Sequence, residues 1–379
     1  AKRPVKKLSS MVVEILRLGI YQIIYMDKVP ESAAVNESVK LAKKLTRGLS
    51  GFVNAILRSV IREQDSIGIE DLAANDIEAI SFIYNIPLWL INLWIREFGR
   101  DKTEDLCAWF NEQPKLTARI NTILIDIPQC LTMLNEQGWS VTQDSNYEDI
   151  IYINSHRGSL EKSEAFIKGY ITFMDKASML VARLVNPQPG ERILDCCAAP
   201  GGKSMYMATL MDNVGSLMSC DIHEHKIELL NSNADRLGAS IVHTKVQDAT
   251  KLPDSWNSYF DRVLVDAPCS GLGILQKKLD MRWRKQESIL RELPPLQLAI
   301  LERAAMTVKE KGYLIYSTCT LNYKENEEVV ESFLQKHKEF SIIPVVEDFP
   351  LKSNSGMITT YPPTDDMDGF FMVKMQRIS

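Results

Sequence analysis

The chain has 379 residues, 45% of them hydrophobic and 25% charged, and a formal net charge of −5. That length accommodates two or three domains, the composition is that of an ordinary globular protein, and no apolar run approaches the ~20 residues of a membrane helix. Seven cysteines (107, 130, 196, 197, 220, 269 and 319) with no C-x-x-C spacing exclude a disulfide framework and a structural zinc site. With no signal-peptide pattern, a cytoplasmic protein with free thiols and no membrane association is expected.

Residues 1–65 carry twelve Lys/Arg against six Asp/Glu. A basic segment on an acidic body either holds phosphates or forms a solvated helical surface. Val12, Leu16, Ile20 and Ile23 share one helical face. Pro30 breaks the pattern, 36–45 resumes it, Gly48 and Gly51 punctuate, and 52–61 reads as another helix. Helical spacing continues over 69–115, with Trp89, Leu90, Leu93 and Trp94 as an apolar stripe read as core. From Leu116 the period changes. A strand at 116–123, a helix near 129–137 and strands at 139–142 and 150–153 predict a small α+β module.

Asn186-Pro187-Gln188-Pro189-Gly190 marks the next boundary. Beyond it strands (192–195, 215–221, 240–245, 260–266, 313–317) alternate with helices (203–211, 226–237, 296–308, 325–337). The fold class is therefore α/β, a Rossmann-like doubly wound parallel sheet. In such a sheet ligands sit outside the carboxyl ends of the strands.

The first of these strands runs into Asp195-Cys196-Cys197-Ala198-Ala199-Pro200-Gly201-Gly202-Lys203-Ser204. Small residues there let a ligand approach the backbone, and the helix N-terminus offers free N–H groups. Gly202-Lys203-Ser204 matches the end of a P-loop, but that motif needs glycine where Cys197 stands, and no G-x-G-x-x-G occurs in a dinucleotide context. Asp221 ends the second strand, in place for ribose hydroxyls, and Asp248 follows the third, within reach of a base amino group. Alone each reads as a loop or cap aspartate; together they fit an adenosine-type cofactor.

Two further strands end in Asp266-Ala267-Pro268-Cys269-Ser270-Gly271 and Ser317-Thr318-Cys319-Thr320. Cys196, Cys197 and Cys220 read as small buried hydrophobes. Cys269 and Cys319 leave strand ends toward one edge, with Cys319 the expected nucleophile and Lys203 the candidate for lowering its thiol pKa. Lys277-Lys278-Leu279-Asp280-Met281-Arg282-Trp283-Arg284-Lys285 is basic with one aromatic. It suits a polynucleotide crossing the site mouth, or else an exposed helix start.

Leu194–Ser204, Asp266–Gly273 and Tyr316–Thr320 with Glu325-Asn326-Glu327 resemble the motifs of the Fmu/Sun family of RNA cytosine-C5 methyltransferases. Arg119-Ile120-Asn121, 166–179 and Asp368-Gly369-Phe370-Phe371 are similar to that family too. Leu16–Gln22, Ala34–Glu37 and Gly51–Arg58 resemble the second half of the NusB-like domain in its bacterial RsmB (Fmu/Sun) type, which modifies 16S ribosomal RNA. Because the chain begins in mid-pattern, the first half of that domain is expected to be missing.

The resemblance implies a partial NusB-like helical RNA-binding domain at 1–68 and a helical linker with an RRM-like module at 69–165. It implies an S-adenosyl-L-methionine-dependent methyltransferase domain at 166–379. A monomer would transfer a methyl group to carbon 5 of a cytosine in RNA, expected to be small-subunit rRNA. In this scheme Cys319 attacks carbon 6, Cys269 assists release, and Asp266 and Lys203 support the base. Cys197, Ala198, Ala199, Pro200, Gly201, Gly202, Lys203, Asp221, Asp248 and Asp266 hold the cofactor, and no metal is involved.

The chain departs from the family at Met174-Asp175, where Gln-Asp is usual. It departs again at 276–280, where lysines replace an Arg-Arg pair and lose its bidentate fork. Two rivals stay open: a DNA cytosine-C5 methyltransferase, in which the Pro-Cys cysteine attacks, and an RNA-binding assembly factor keeping an inactive methyltransferase fold.

Overall fold

Three helices, Ser10–Tyr25, Glu31–Leu45 and Ser50–Glu63, bury one apolar stripe each. Val12, Ile15 and Leu16 meet Val35, Ala42, Val53 and Leu57 in one core, and each fully buried Val or Leu contributes roughly 1.5–3 kcal/mol. Lys40, Lys43 and Lys44 stay on the solvent side. The computed structural model describes residues 7–63, 76–345, 349–351, 353 and 355–378. The chain divides after Ile83 into two units. The boundary expected at 68/69 lies outside the described residues.

In the second unit, helices Leu88–Phe98 and Arg100–Asn111 pack through Trp94 and Phe110, fully buried with ring centroids 5.5 Å apart. Leu90 and Leu93 are buried as the stripe predicts, and Trp89 is half-buried. A four-stranded antiparallel sheet follows: β1 (Leu116–Ile120), β2 (Ser140–Gln143), β3 (Ile150–Ser155) and β4 (Ile171–Phe173), in the order β2-β3-β1-β4. With helices Ile127–Glu136 and Glu164–Ile167 this is a β-α-β-β-α-β ferredoxin-like module. Its fourth strand lies beyond the boundary expected at 165/166.

The Arg119-Ile120-Asn121 run fastens this module to its neighbour. Arg119 Nη1 donates to Thr209 Oγ1 (3.1 Å), and Asn121 Nδ2 donates to Gly169 O (3.0 Å) and Leu237 O (2.9 Å). Arg119 and Asn121 are both buried, so an unmade bond would leave a desolvated polar group.

The large sheet holds β5 (Arg192–Asp195), β6 (Ser216–Asp221), β7 (Val242–Val246), β8 (Phe260–Asp266), β9 (Val308–Thr318), β10 (Phe340–Ile342), β11 (Met357–Thr359) and β12 (Phe371–Arg377). Its order is β10-β12-β9-β8-β5-β6-β7, with β11 beside β12. The five strands from β9 to β7 are parallel, and β10, β11 and β12 add an antiparallel edge. Strand order reverses between β5 and β8, which opens a ligand crevice at their carboxyl ends.

The antiparallel edge of β10, β11 and β12 lies outside the expected parallel sheet, and two further elements differ from expectation. The helix expected at 296–308 runs from Ile289 to Ala305, with Pro294 and Pro295 inside. The prolines remove two amide donors without ending it, because Leu290 before them and Gln297 and Ile300 after them are buried. Strand β9 starts at Val308, five residues earlier than expected. Its register against β8 shifts between Phe260 and Arg262, across Lys311 with φ +62°.

Candidate active site

Parallel pairing of β8 with β9 sets Asp266 opposite Ser317, so the turns that follow leave the sheet side by side. Ala267 N donates to Ser317 O (2.9 Å) and Gly273 N to Cys319 O (3.0 Å), which closes one turn on the other. A Cβ on Gly273 would meet Gly369 O at 1.8 Å. Only glycine allows that backbone crossing, where Gly369 N donates to Gly273 O at 2.9 Å.

Between these turns Cys269 Sγ and Cys319 Sγ stand 3.1 Å apart, and Cys319 N donates to Cys269 Sγ at 3.3 Å. The hydrogen bond with Cys319 and burial push the Cys269 thiol well up. Beside them Asp266 accepts from Lys203 Nζ through Oδ2 (2.7 Å) and from Ser317 Oγ through Oδ1 (2.8 Å). Burial alone would lower the Lys203 ammonium, but Asp266 outweighs it and Lys203 is held above its ordinary value. The lysine therefore stays charged, 5.2 Å from the centroid of the Phe370 ring.

A buried carboxylate holds the two turns together. Glu325 Oε2 accepts from Ser270 N (2.8 Å) and Gln297 Nε2 (3.0 Å), and Oε1 accepts from Ser270 Oγ (2.5 Å) and Asn322 Nδ2 (2.9 Å). Gln297 Nε2 also donates to Pro268 O (3.0 Å). Sequence reasoning noticed Glu325 only as part of a resemblance and passed over Gln297. The available signal was a glutamine on the same helical stripe as Ile300, Leu301 and Ala304.

A cavity of about 390 Å³ runs along the strand ends. Cys269, Cys319 and Asp266 line one part of it, Asp221, Gln247 and Asp248 another, and Cys196, Cys197 and Ala199 also line it. Asp221 is buried, its Oδ1 accepting from His223 N at 3.0 Å and its Oδ2 lying 3.4 Å from Lys226 Nζ. Asp248 Oδ1 caps the next turn, accepting from Thr250 N (2.9 Å) and Thr250 Oγ1 (2.7 Å), while the residue still lines the cavity. Acceptors at two strand ends beside the apolar Ile222, Ala249 and Ile300 suit the hydroxyls and ring faces of an adenosine group.

Other expected residues sit behind that wall. Ala198 packs in the core. Gly201, with φ +105°, starts helix Gly202–Leu210 and faces Leu230, while Gly202 faces Met174. Pro200 follows a cis peptide bond and its carbonyl accepts from Asn233 Nδ2 (3.0 Å). Lys203 enters through its contact with Asp266. Behind them Ser219 Oγ donates to Ser204 Oγ (2.9 Å) and Ser204 Oγ to Asp195 Oδ2 (2.7 Å), with burial pushing Asp195 up to about 7.

The basic segment 277–285 divides in two. Lys277 pairs with Asp175 and Asp368. Arg282 is buried, donating to Asn111 Oδ1 (2.7 Å) and Phe110 O. These two cations hold the fold, while Lys278, Trp283 and Arg284 are exposed.

Comparison with known proteins agrees with this geometry. The family model for 16S rRNA methyltransferase RsmB/F matches residues 182–376, that for the NusB family 1–62, and that for the RsmF/B-like ferredoxin-like domain 86–158. The chain is 36% identical to the probable ribosomal RNA small subunit methyltransferase B of Bacillus subtilis (strain 168), over 98% of this chain and 84% of that one. It is 38% identical to the probable ribosomal RNA small subunit methyltransferase B of Synechocystis sp. (strain ATCC 27184 / PCC 6803 / Kazusa), over 99% and 85%. Among solved structures it is similar to PH0851 (TM-score 0.83, 27% identity, 96% of this chain and 82% of that one). NSun6 from Pyrococcus horikoshii shares the fold (TM-score 0.69, 21% identity, 76% and 97%). S-adenosyl-L-methionine is the cofactor, and the cavity lining fits it. The chain belongs to the 16S rRNA methyltransferase RsmB/F family.

Proposed function

We propose that this protein methylates carbon 5 of a cytosine in 16S ribosomal RNA through a covalent adduct between Cys319 and carbon 6 of the base. The carrying observation is the pair of sulfurs 3.1 Å apart in a cavity also lined by Asp266, which Lys203 pairs with. Carbon 5 of cytosine is a poor nucleophile. Addition of a Cys319 thiolate at carbon 6 makes carbon 5 carbanion-like and divides one hard step into easier ones. When bound, S-adenosyl-L-methionine supplies the methyl group that carbon 5 takes.

Asp266, fixed by Lys203 and Ser317, keeps lone pairs free to accept from the amino group of cytosine, where uracil would present a repelling carbonyl. The Lys203 ammonium beside it stabilises the negative charge that develops on the ring. A base must then take the carbon-5 proton, and the electron pair left behind re-forms the double bond to carbon 6 and expels Cys319 Sγ as a thiolate. Cys269 Sγ, in contact with Cys319, is suited to assist that release. Residues Cys197, Ala199, Asp221 and Asp248 would hold the cofactor, with Ala198, Pro200, Gly201 and Gly202 shaping the turn behind them.

The target base has to be unpaired or turned out of its stack to enter. Exposed Lys278 and Trp283 would meet the flanking strand, beside Arg284, which pairs with Asp280 (3.1 Å). No single helix among the described residues is long and apolar enough to cross a membrane.

The test is nucleoside analysis of unmodified 16S rRNA after incubation with S-adenosyl-L-methionine and either wild type or Cys319→Ala. 5-Methylcytidine formed by wild type and reduced at least ~10³-fold by Cys319→Ala, at an unchanged melting temperature, is expected. A methylated position other than carbon 5 would overturn the reading.

A further inference from the structure

The loop that carries Cys319 also borders a second cavity. Leu321, Asn322, Tyr323 and Lys324 line a space of about 760 Å³ together with residues of helices Leu88–Phe98 and Ile289–Ala305. The latter helix gives Leu290 and Arg291 to this cavity and Leu296 and Ile300 to the reaction cavity. Two shared elements make the cavities neighbours. A polymer with one unit in the reaction cavity can continue into the second along these shared elements.

The lining is that of a nucleotide site. Arg96, Arg291 and Lys324 face it, and none forms an ion pair with a carboxylate among the described residues, although Glu97, Glu287 and Glu327 line the same space. Tyr323 is 45% exposed yet tethered at both ends: its N–H donates to Glu97 Oε1 (3.4 Å) and its hydroxyl to Glu331 Oε2 (3.1 Å). A purely electrostatic RNA track would be cationic throughout. Cations with carboxylates around a presented aromatic ring suit phosphate, base amino group and base face at once. Burial also pushes Glu97 up to about 7, which weakens its repulsion of a phosphate near neutral pH.

We infer that this cavity binds the nucleotide flanking the target cytosine in single-stranded RNA, with Arg291 and Lys324 on its phosphate and Tyr323 stacked on its base. The site rests on the RNA methylation proposed above and sets which sequence context the enzyme accepts.

The test uses the full chain with Arg291→Ala, Lys324→Ala, Tyr323→Ala and Tyr323→Phe. KM and kcat are measured on unmodified 16S rRNA, RNA affinity against salt, and S-adenosyl-L-methionine affinity by calorimetry. Each lost cation should lower the salt slope by about 1. Tyr323→Ala should raise KM roughly tenfold, as loss of one stacked base does, and Tyr323→Phe should keep the wild-type value. Cofactor affinity and kcat should not move. Wild-type KM and salt slope in the alanine variants, or a lowered melting temperature with KM unchanged, would overturn the subsite alone. A wild type that modifies no cytosine in this RNA would overturn the function on which the subsite rests.

Discussion

The β8–β9 strand pair carries charged residues at its amino end and, through Asp266, at its carboxyl end, and uses them in opposite ways. At the amino ends Arg262 makes a bidentate pair with Glu191 (2.6 and 3.0 Å) and donates to Val185 O (2.8 Å). Asp261 accepts from Arg192 N (2.8 Å) and pairs with Lys309. There the charges face one another, and their hydrogen-bonding capacity goes into the scaffold. At the carboxyl ends Asp266 is paired with Lys203, but its side chain is 28% exposed and it lines a cavity beside two thiols. The difference is one of direction. An ion pair closed on itself fixes a strand, while one that faces a cavity fixes a side chain and leaves it capacity for a ligand.

The comparison breaks most visibly at Arg262. Arg262→Ala leaves Glu191 without its partner and should cost about 3–5 kcal/mol in a urea titration, with kcat per folded molecule unchanged. A lowered kcat at full folding would show that the two ends are not separate.

Glu325 sharpens the contrast because it is closed on itself yet sits between the turns that carry Cys269 and Cys319. Glu325→Ala leaves buried donors from three segments unmatched and should cost about 3 kcal/mol. It should also lower kcat about 10²-fold, since a displacement near 1 Å between Cys269 and Cys319 spoils their alignment. A loss of stability with kcat intact would make Glu325 a structural residue only.

A pH-dependent effect belongs to Lys374, whose Nζ donates to Val185 O (3.1 Å). Burial and the neighbouring Arg262 push it down to about 7 from 10.5. The folded state thus binds fewer protons than the unfolded state between pH 7 and 10.5, and stability rises with pH across that window. Lys374→Met should therefore be more stable than wild type at pH 6, with the gain shrinking as pH approaches 10.5. A difference independent of pH would contradict this.

The parallel part of the sheet was legible because apolar runs recur along it, three of them stopping at Asp195, Asp221 and Asp266, and the candidate cysteine pair because Cys269 and Cys319 follow two apolar runs. Adjacency of β8 and β9 then brings the sulfurs together. Partnerships across long separations were not legible. Lys277 and Arg282 look like RNA contacts in a basic run, but their partners are Asp175, Asp368, Phe110 and Asn111, 91 to 172 residues away. Glu325 gathers donors from Ser270, Gln297 and Asn322, and no local pattern announces such a convergence. Helix Ile289–Ala305 was read short because prolines mark boundaries only until buried neighbours on both sides hold the helix through them.

The measurement that bears most directly on the assignment of Cys319 is adduct trapping. Wild type, Cys269→Ala and Cys319→Ala are incubated with unmodified 16S rRNA and S-adenosyl-L-methionine and run on a denaturing gel. A covalent protein–RNA band that accumulates in Cys269→Ala and is absent from Cys319→Ala is predicted. A band that persists in Cys319→Ala and disappears in Cys269→Ala would reverse the roles of the two cysteines and contradict the account.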